Sequence, residues 1–163
     1  MRQFTRRTPS GITLDSAGFG FGWGWWRVAI SVSAVEYFYT RVLNNPDAAF
    51  EMLSMLASEG INVLAFSAVP FGPNHVELTI FPDPATKFHT LATRSGWTLT
   101  GPQHAILVQG DDHLGTLAEI HQKLRDADVD IYASTGVTDG NGRYGYVIYT
   151  NENDHRKAVE SLA

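Results

Sequence analysis

With 163 residues, a net charge of −5 and no cysteine, the chain is long enough for one ordinary domain or two small ones, and several chemistries are closed to it. A disulfide scaffold, a thiolate metal site and a cysteine nucleophile are excluded, and general nucleic-acid binding is disfavoured by the acidic balance and by the lack of a basic stripe after Arg7. The composition is globular, with 44% hydrophobic residues, and no run of about 18 apolar residues occurs, so no helix is expected to cross a membrane.

Residues 1–35 begin with Arg2, Arg6 and Arg7, continue through alternating glycines and aromatics from Phe19 to Trp26, and end on the apolar stretch Val28–Val35. Three readings fit them. One is an export signal with Val32-Ser33-Ala34 as its cleavage site, opposed by Asp15, the glycines and Arg27. Another is a flexible or non-native extension, and the third an arm whose segment Ala29–Val35 adds a strand to a sheet edge.

Tyr37–Leu43 is rich in aromatic and branched residues and predicts a strand. Asn45 is placed to cap a helix that Pro46 opens. Ala49, Met52, Leu53 and Leu56 recur at helical spacing until Gly60. Strands are expected at Ile61–Val69 and Val76–Phe81, around a turn at Pro70–Asn74. A helix follows the prolines at 82 and 84, with Phe88, Leu91 and Ala92 as its buried face and Gly96 as its stop. Trp97–Thr100 reads as a short fourth strand. The order then recurs: a strand at Ala105–Gln109 and a helix with the stripe Leu117, Ile120, Leu124, beside Ala118 and His121. A strand follows at Val129–Val137, then the hairpin signal Asp139-Gly140-Asn141-Gly142. A strand at Tyr144–Thr150 and a helix at Asp154–Leu162 end the series.

The recurrence is a duplication. Shifted by 68 positions, residues 36–95 lie on 104–163 without a gap. Ala49 meets Leu117, Met52 meets Ile120, Leu56 meets Leu124, Ile61 meets Val129, Val63 meets Ile131 and Ile80 meets Ile148. One supersecondary unit is used twice, and the seam between two units is a favoured place for a ligand pocket. The fold class expected is α+β, with two ferredoxin-like βαββαβ repeats at 36–101 and 104–163. Each forms an antiparallel sheet with its helices on one face. The second repeat ends before a fourth strand. The open edge of its first strand therefore needs a cover, from another chain, the other repeat or the N-terminal arm.

Gly110-Asp111-Asp112-His113-Leu114-Gly115-Thr116-Leu117-Ala118-Glu119-Ile120, followed by Leu124 and Ala127-Asp128-Val129-Asp130-Ile131, resembles the ACT domain, the small amino-acid-sensing module. With the first repeat matched by position, the chain is similar to tandem-ACT proteins. The resemblance implies a ligand against the turn and the following strand, usually across a domain interface. It also implies a regulatory role without catalysis, in a cytoplasmic protein.

The same residues carry a physical reading. A helix start leaves backbone N–H groups without partners, and these attract a carboxylate. Gly115 lets a ligand approach the backbone, and Asp112 and Asp130 can accept bonds from an ammonium group. In the first repeat Asn44 and Asn45 hold the turn, Asn62 stands in place of Asp130, and Asp47 replaces the glycine with an anion that disfavours a carboxylate. The candidate ligand residues are Asp112, His113, Leu114, Gly115, Thr116, Asp130 and Ile131, with Asn44, Asn45 and Asn62 from the first copy. The plainer reading makes Asn45, and Asp112 or His113, helix caps, and Asn62 and Asp130 strand-start residues bonded to a neighbouring loop.

Other chemistries find less support. His75, His89, His104, His113, His121 and His155 show no metal-ligand spacing. Ser67, Ser134 and Thr135 lie in predicted strands without a nucleophile elbow. Gly18–Gly24 lacks the lysine of a phosphate loop. Arg143 and Tyr144, between Gly142 and Gly145, read as a hairpin arm, and the strand aromatics as core or interface. Neither residues nor resemblance implies a cofactor. The expected function is a regulatory protein that binds a small molecule, an amino acid by the resemblance. With no catalytic or DNA-binding domain in the chain, it would act as a homodimer or through an enzyme or regulator in trans. The alternatives are a ligand-free interaction subunit of an amino-acid metabolic enzyme, and a ferredoxin-like enzyme.

Overall fold

The computed structural model describes residues 30–163; the phosphate-loop and glycine–aromatic readings fall outside them, as does the export reading apart from its cleavage site Val32-Ser33-Ala34, which lies within a strand. The elements follow the expected order: β1 (Ser31–Leu43), α1 (Pro46–Ser58), β2 (Asn62–Phe71), β3 (His75–Asp83), α2 (Ala85–Ser95), β4 (Thr100–Asp111), α3 (Thr116–Asp126), β5 (Ile131–Thr138), β6 (Arg143–Thr150) and α4 (Glu152–Leu162). The six strands form one sheet in the order β2-β3-β1-β4-β6-β5, and every neighbouring pair is antiparallel. The architecture is the tandem ferredoxin-like ACT-type fold, with the two repeats fused into a continuous sheet.

The fusion lies in two long strands. β1 pairs with β3 through Phe38–Leu43 and with β4 through Ser31–Tyr37, so one strand serves both repeats. Ser31–Val35 are the opening residues of β1 and face Gln109–Ala105, rather than belonging to a separate extension. They pair with the edge of the second repeat's first strand that is not taken by β6. β4 reciprocates. Its first residues run beside Tyr37 and Tyr39, and the short strand expected at Trp97–Thr100 is thereby merged into the first strand of the second repeat. Glu36 and His104, themselves 68 positions apart, are register partners, so the local twofold of the duplication passes between them.

All four helices share one face. Val32 packs against Ile120 and Leu124 of α3 and Ala158 and Leu162 of α4, whereas Phe38 packs against Met52 and Leu56 of α1 and Phe88 and Leu91 of α2. Val32 and Phe38 have the same parity along β1 and so point to the same side. Each fully buried side chain of this kind contributes roughly 1.5–3 kcal/mol of transfer free energy. The α3 stripe differs from expectation by one residue: Thr116 is buried with Ile120 and Leu124, while Leu117 is 43% exposed. Thr116 tolerates burial because its hydroxyl bonds to the backbone of His113.

The helix-free face has its own cluster of Val35, Tyr37, Phe81, Ala105, Leu107 and Val147. Tyr37 stacks on Phe81 at 5.1 Å and meets Tyr149 edge-on at 5.2 Å. Its hydroxyl lies 3.0 Å from that of Tyr132 on β5. Burial, with Tyr132 second, holds the Tyr37 phenol well above its usual pKa.

Candidate functional site

The two β–α turns of the duplication are built differently. At α1, Asn45 Oδ1 accepts from the N–H groups of Asp47 (3.1 Å) and Ala48 (2.7 Å), so the side chain consumes donors that a helix start leaves free. Asn44 donates its backbone N–H to Asn74 at 2.8 Å. Asp47 adds a carboxylate to the first turn of the helix. That terminus is satisfied from within the chain.

At α3 no side chain caps the helix. The residue in the capping place is Gly115, at φ +97°, a conformation that glycine adopts without strain. Among the described residues a Cβ there would meet nothing within 4 Å, so they leave the space over the turn open. Leu114 projects fully into solvent. Thr116, the one hydroxyl at the turn, folds inward, accepting from His113 N at 3.2 Å and donating to His113 O at 2.8 Å. The loop is anchored from outside by Asp112 N–H, which donates to Gly142 O of the β5–β6 hairpin at 2.7 Å. Thr116 N–H is taken by His113 O at 3.1 Å, which leaves the N–H groups of Leu117 and Ala118 without a capping side chain among the described residues.

Tyr144 is a neighbour that sequence patterning missed. It is buried in the helix-side core, yet its hydroxyl has no hydrogen-bond partner among the described residues. Burial raises its pKa, and the carboxylates of Glu119 and Asp112 raise it further, so the phenol stays protonated near this turn.

The remaining candidates stand elsewhere. Ile131 is opposite Thr150, whereas Asp111 is opposite Arg143, so the start of β5 and the α3 turn sit at opposite ends of β6. Seven residues of strand separate them, about 23 Å at about 3.3 Å per residue. Asp130 is engaged locally: its N–H donates to Asp154 Oδ2 at 3.2 Å, and its Oδ2 accepts from Asn151 Nδ2 at 3.3 Å. Ile131 packs on the second-repeat core. Asn62 is exposed at the start of β2 opposite Asp83. Asn44 and Asn45 follow Leu43, at the other end of the sheet from the α3 turn, because β1 and β4 run antiparallel. Within one chain, Asp112–Thr116 stand together, apart from the pairs Asn44–Asn45 and Asp130–Ile131 and from Asn62.

Among the described residues no group of three or more histidine or acidic side chains is placed to hold a metal ion, and no helix is long and apolar enough to cross a membrane.

No family model matches the sequence, and no curated protein matches it either. Solved structures do resemble the fold. The protein BT0572 from Bacteroides thetaiotaomicron is 18% identical with a TM-score of 0.66, over 80% of this chain and 88% of that one. The regulatory subunit of aspartate kinase from Thermus thermophilus, in its ligand-free form, is 14% identical with a TM-score of 0.55, over 83% and 95%. A structure of aspartokinase alpha and beta subunits gives 19% identity and a TM-score of 0.54 over the same shares. At these identities the likeness establishes the fold.

Proposed function

We propose that the protein is a regulatory module that binds a small zwitterion, an amino acid foremost, at the Asp112–Thr116 turn and has no catalysis of its own. The observation that carries this reading is the contrast between the two helix starts: α1 is capped by its own Asn45, and α3 is uncapped beneath an open glycine. A carboxylate docked there would meet free N–H donors and the positive end of the helix dipole, while Asp112 offers an acceptor to the ammonium group. The similarity in fold to regulatory subunits of aspartate kinase supports the regulatory side.

Asp130, Ile131 and Asn62 reach the turn only if a second copy supplies them, which is how a homodimer would complete the site. Ligand binding then regulates by favouring one packing of copies, or of this chain on a partner enzyme, and the response is bounded by the difference in affinity between the two states. Thermal-shift measurement against the twenty amino acids tests the reading. One or a few should raise the midpoint, and the rise should vanish in Leu114→Asp, which places an anion at an exposed position beside the helix start without touching the core. A flat panel contradicts it and favours a ligand-free interaction subunit.

A further inference from the structure

The helix-free face carries a second concavity, on the opposite side of the sheet from the α3 turn. It is a cleft of about 510 Å³ bordered by β2 of the first repeat and by β4, β5 and β6 of the second. The register explains its floor. Leu107, Val147 and Thr135 form one cross-strand row, and Gln109, Gly145 and Val137 form the next. Arg143 and Asp139 close the end, where the β5–β6 hairpin turns. Leu64 and Phe66 approach from β2, at 40% and 38% exposure, and Val137 is 71% exposed. The surface is apolar along its length and charged at one end.

Gly145 is the informative residue. It lies inside β6 without the positive φ that requires glycine elsewhere in the chain. A Cβ at this position would meet nothing within 4 Å among the described residues. Backbone geometry therefore does not call for glycine, and neither does crowding. Glycine in a strand interior weakens the strand and often marks a bulge or a close approach to the backbone, and neither ladder shifts register at Gly145. Here it removes the central side chain of the row between Gln109 and Val137, and the missing side chain is the hollow.

The polar end has two unlike charges. Arg143 has no carboxylate within salt-bridge distance among the described residues. Asp139 Oδ1 accepts from the backbone N–H groups of Asn141 at 2.7 Å and Arg143 at 3.0 Å, which hold its carboxyl ionised below the usual range. The turn fixes Asp139 through Oδ1, and Oδ2 takes no part in those two bonds.

We propose that this cleft is a binding site for a small carboxylic acid with a bulky apolar body. The body lies over Gly145 between Val137 and Val147, and the carboxylate pairs with Arg143. The ligand is an apolar α-amino acid or the corresponding acid without the amino group. The two share the recognised chemistry and differ only in whether Asp139 finds an ammonium partner. This site is independent of the α3 turn and stands or falls separately.

Calorimetric titration of the full chain with 3-phenylpropionate and with L-phenylalanine tests the proposal, with amide chemical shifts locating the site. Saturable binding of at least one probe is expected, with shifts at Val137, Gly145 and Val147. Gly145→Val should fold, because the space is open and the strand geometry suits valine, and should abolish binding. Arg143→Gln should weaken it by about tenfold or more, the loss expected for a charge-assisted pair. Val137→Glu, at an exposed position, should also abolish binding by setting an anion against the carboxylate. Leu114→Asp should leave it unchanged, which separates this site from the turn. Asp139→Asn identifies the source: weakening confined to L-phenylalanine assigns an amino acid, equal binding of both probes assigns the simple acid, and either supports the site. Absence of binding by both probes overturns it. So does binding that survives both Gly145→Val and Val137→Glu, or a change in oligomeric mass in those variants, which would make the face a protein interface.

Discussion

At α1, Asn45 takes up two backbone donors with one oxygen, while at α3 His113 stands in the equivalent position and its side chain caps nothing. Two residues further on, Asp47 is matched by Gly115, so the first terminus already holds an anion and the second has room for one. Much of this was legible in the sequence, because caps depend on residue type and local spacing. The inward turn of Thr116 was not, since helical spacing accommodates either 116 or 117 beside 120 and 124, and its hydroxyl bonds to His113 decide the matter. The partners of Asp130 were not legible either, because Asn151 and Asp154 lie more than twenty positions away and only folding brings them near. His155 yields a prediction at this scale. Burial, with the neighbouring His104 second, lowers its pKa below the ordinary histidine value of 6.5. The folded state thus favours neutral His155, so its contribution is fully present above pH 6.5 and is lost as pH falls through the lower folded value. Thermal midpoints recorded between pH 7.5 and pH 5 should fall on acidification, and His155→Gln should flatten the fall. The lowered pKa values of Asp139 and Asp154 place their effects at more acid pH, outside that window.

At the scale of elements, the most consequential feature is that β1 and β4 are longer than their repeats. Sequence comparison starts the duplication at residue 36, where residues 36–95 lie on 104–163, and ends the first repeat at residue 101. In the structure Gly101 sits inside β4 at φ +137°, where a Cβ would lie 2.9 Å from both Phe38 Cδ1 and Tyr37 O. The register between β1 and β4 shifts there, so a glycine that punctuates a sequence serves as a strand irregularity. The element order, the helix faces of α1 and α2 and the β5–β6 hairpin were all readable, being local patterns. The sharing of strands was not, because it depends on pairing between residues 61 to 78 positions apart. It has a direct consequence. Deleting residues 1–29 leaves every described ladder intact and serves as the reference. Deleting residues 1–35 removes the partner of Ala105–Gln109 and the Val32 side chain from the second core. That variant should be markedly less stable and prone to associate through the bared edge of β4. Equal stability of the two deletions would show that β1 does not serve the second repeat.

For the molecule as a whole, the duplication explains the symmetry of the sheet, while the residues that differ between its copies make the two β–α turns unequal. The strand order reads outward from the β1–β4 pair as β3 then β2 on one side and β6 then β5 on the other, and a local twofold runs between Glu36 and His104. On the helix side the two turns point in opposite directions, and one of them is uncapped. On the other face the cleft is unsymmetrical, since it depends on Gly145 and Arg143, whose counterparts in the first repeat are Glu77 and His75. A module with equivalent folds and unequal sites can couple a small molecule to its assembly without catalytic groups, provided the ligand distinguishes between assemblies. Backbone amide shifts of the isotope-labelled protein, followed through titration with each amino acid, test that claim most directly. With at least one of them, the amides of Gly115, Leu117 and Ala118 should move in a saturable way, while those of Asp47 and Ala48, held by Asn45, stay in place. If no amino acid moves the α3 amides, the turn is not a ligand site and the sensing role fails.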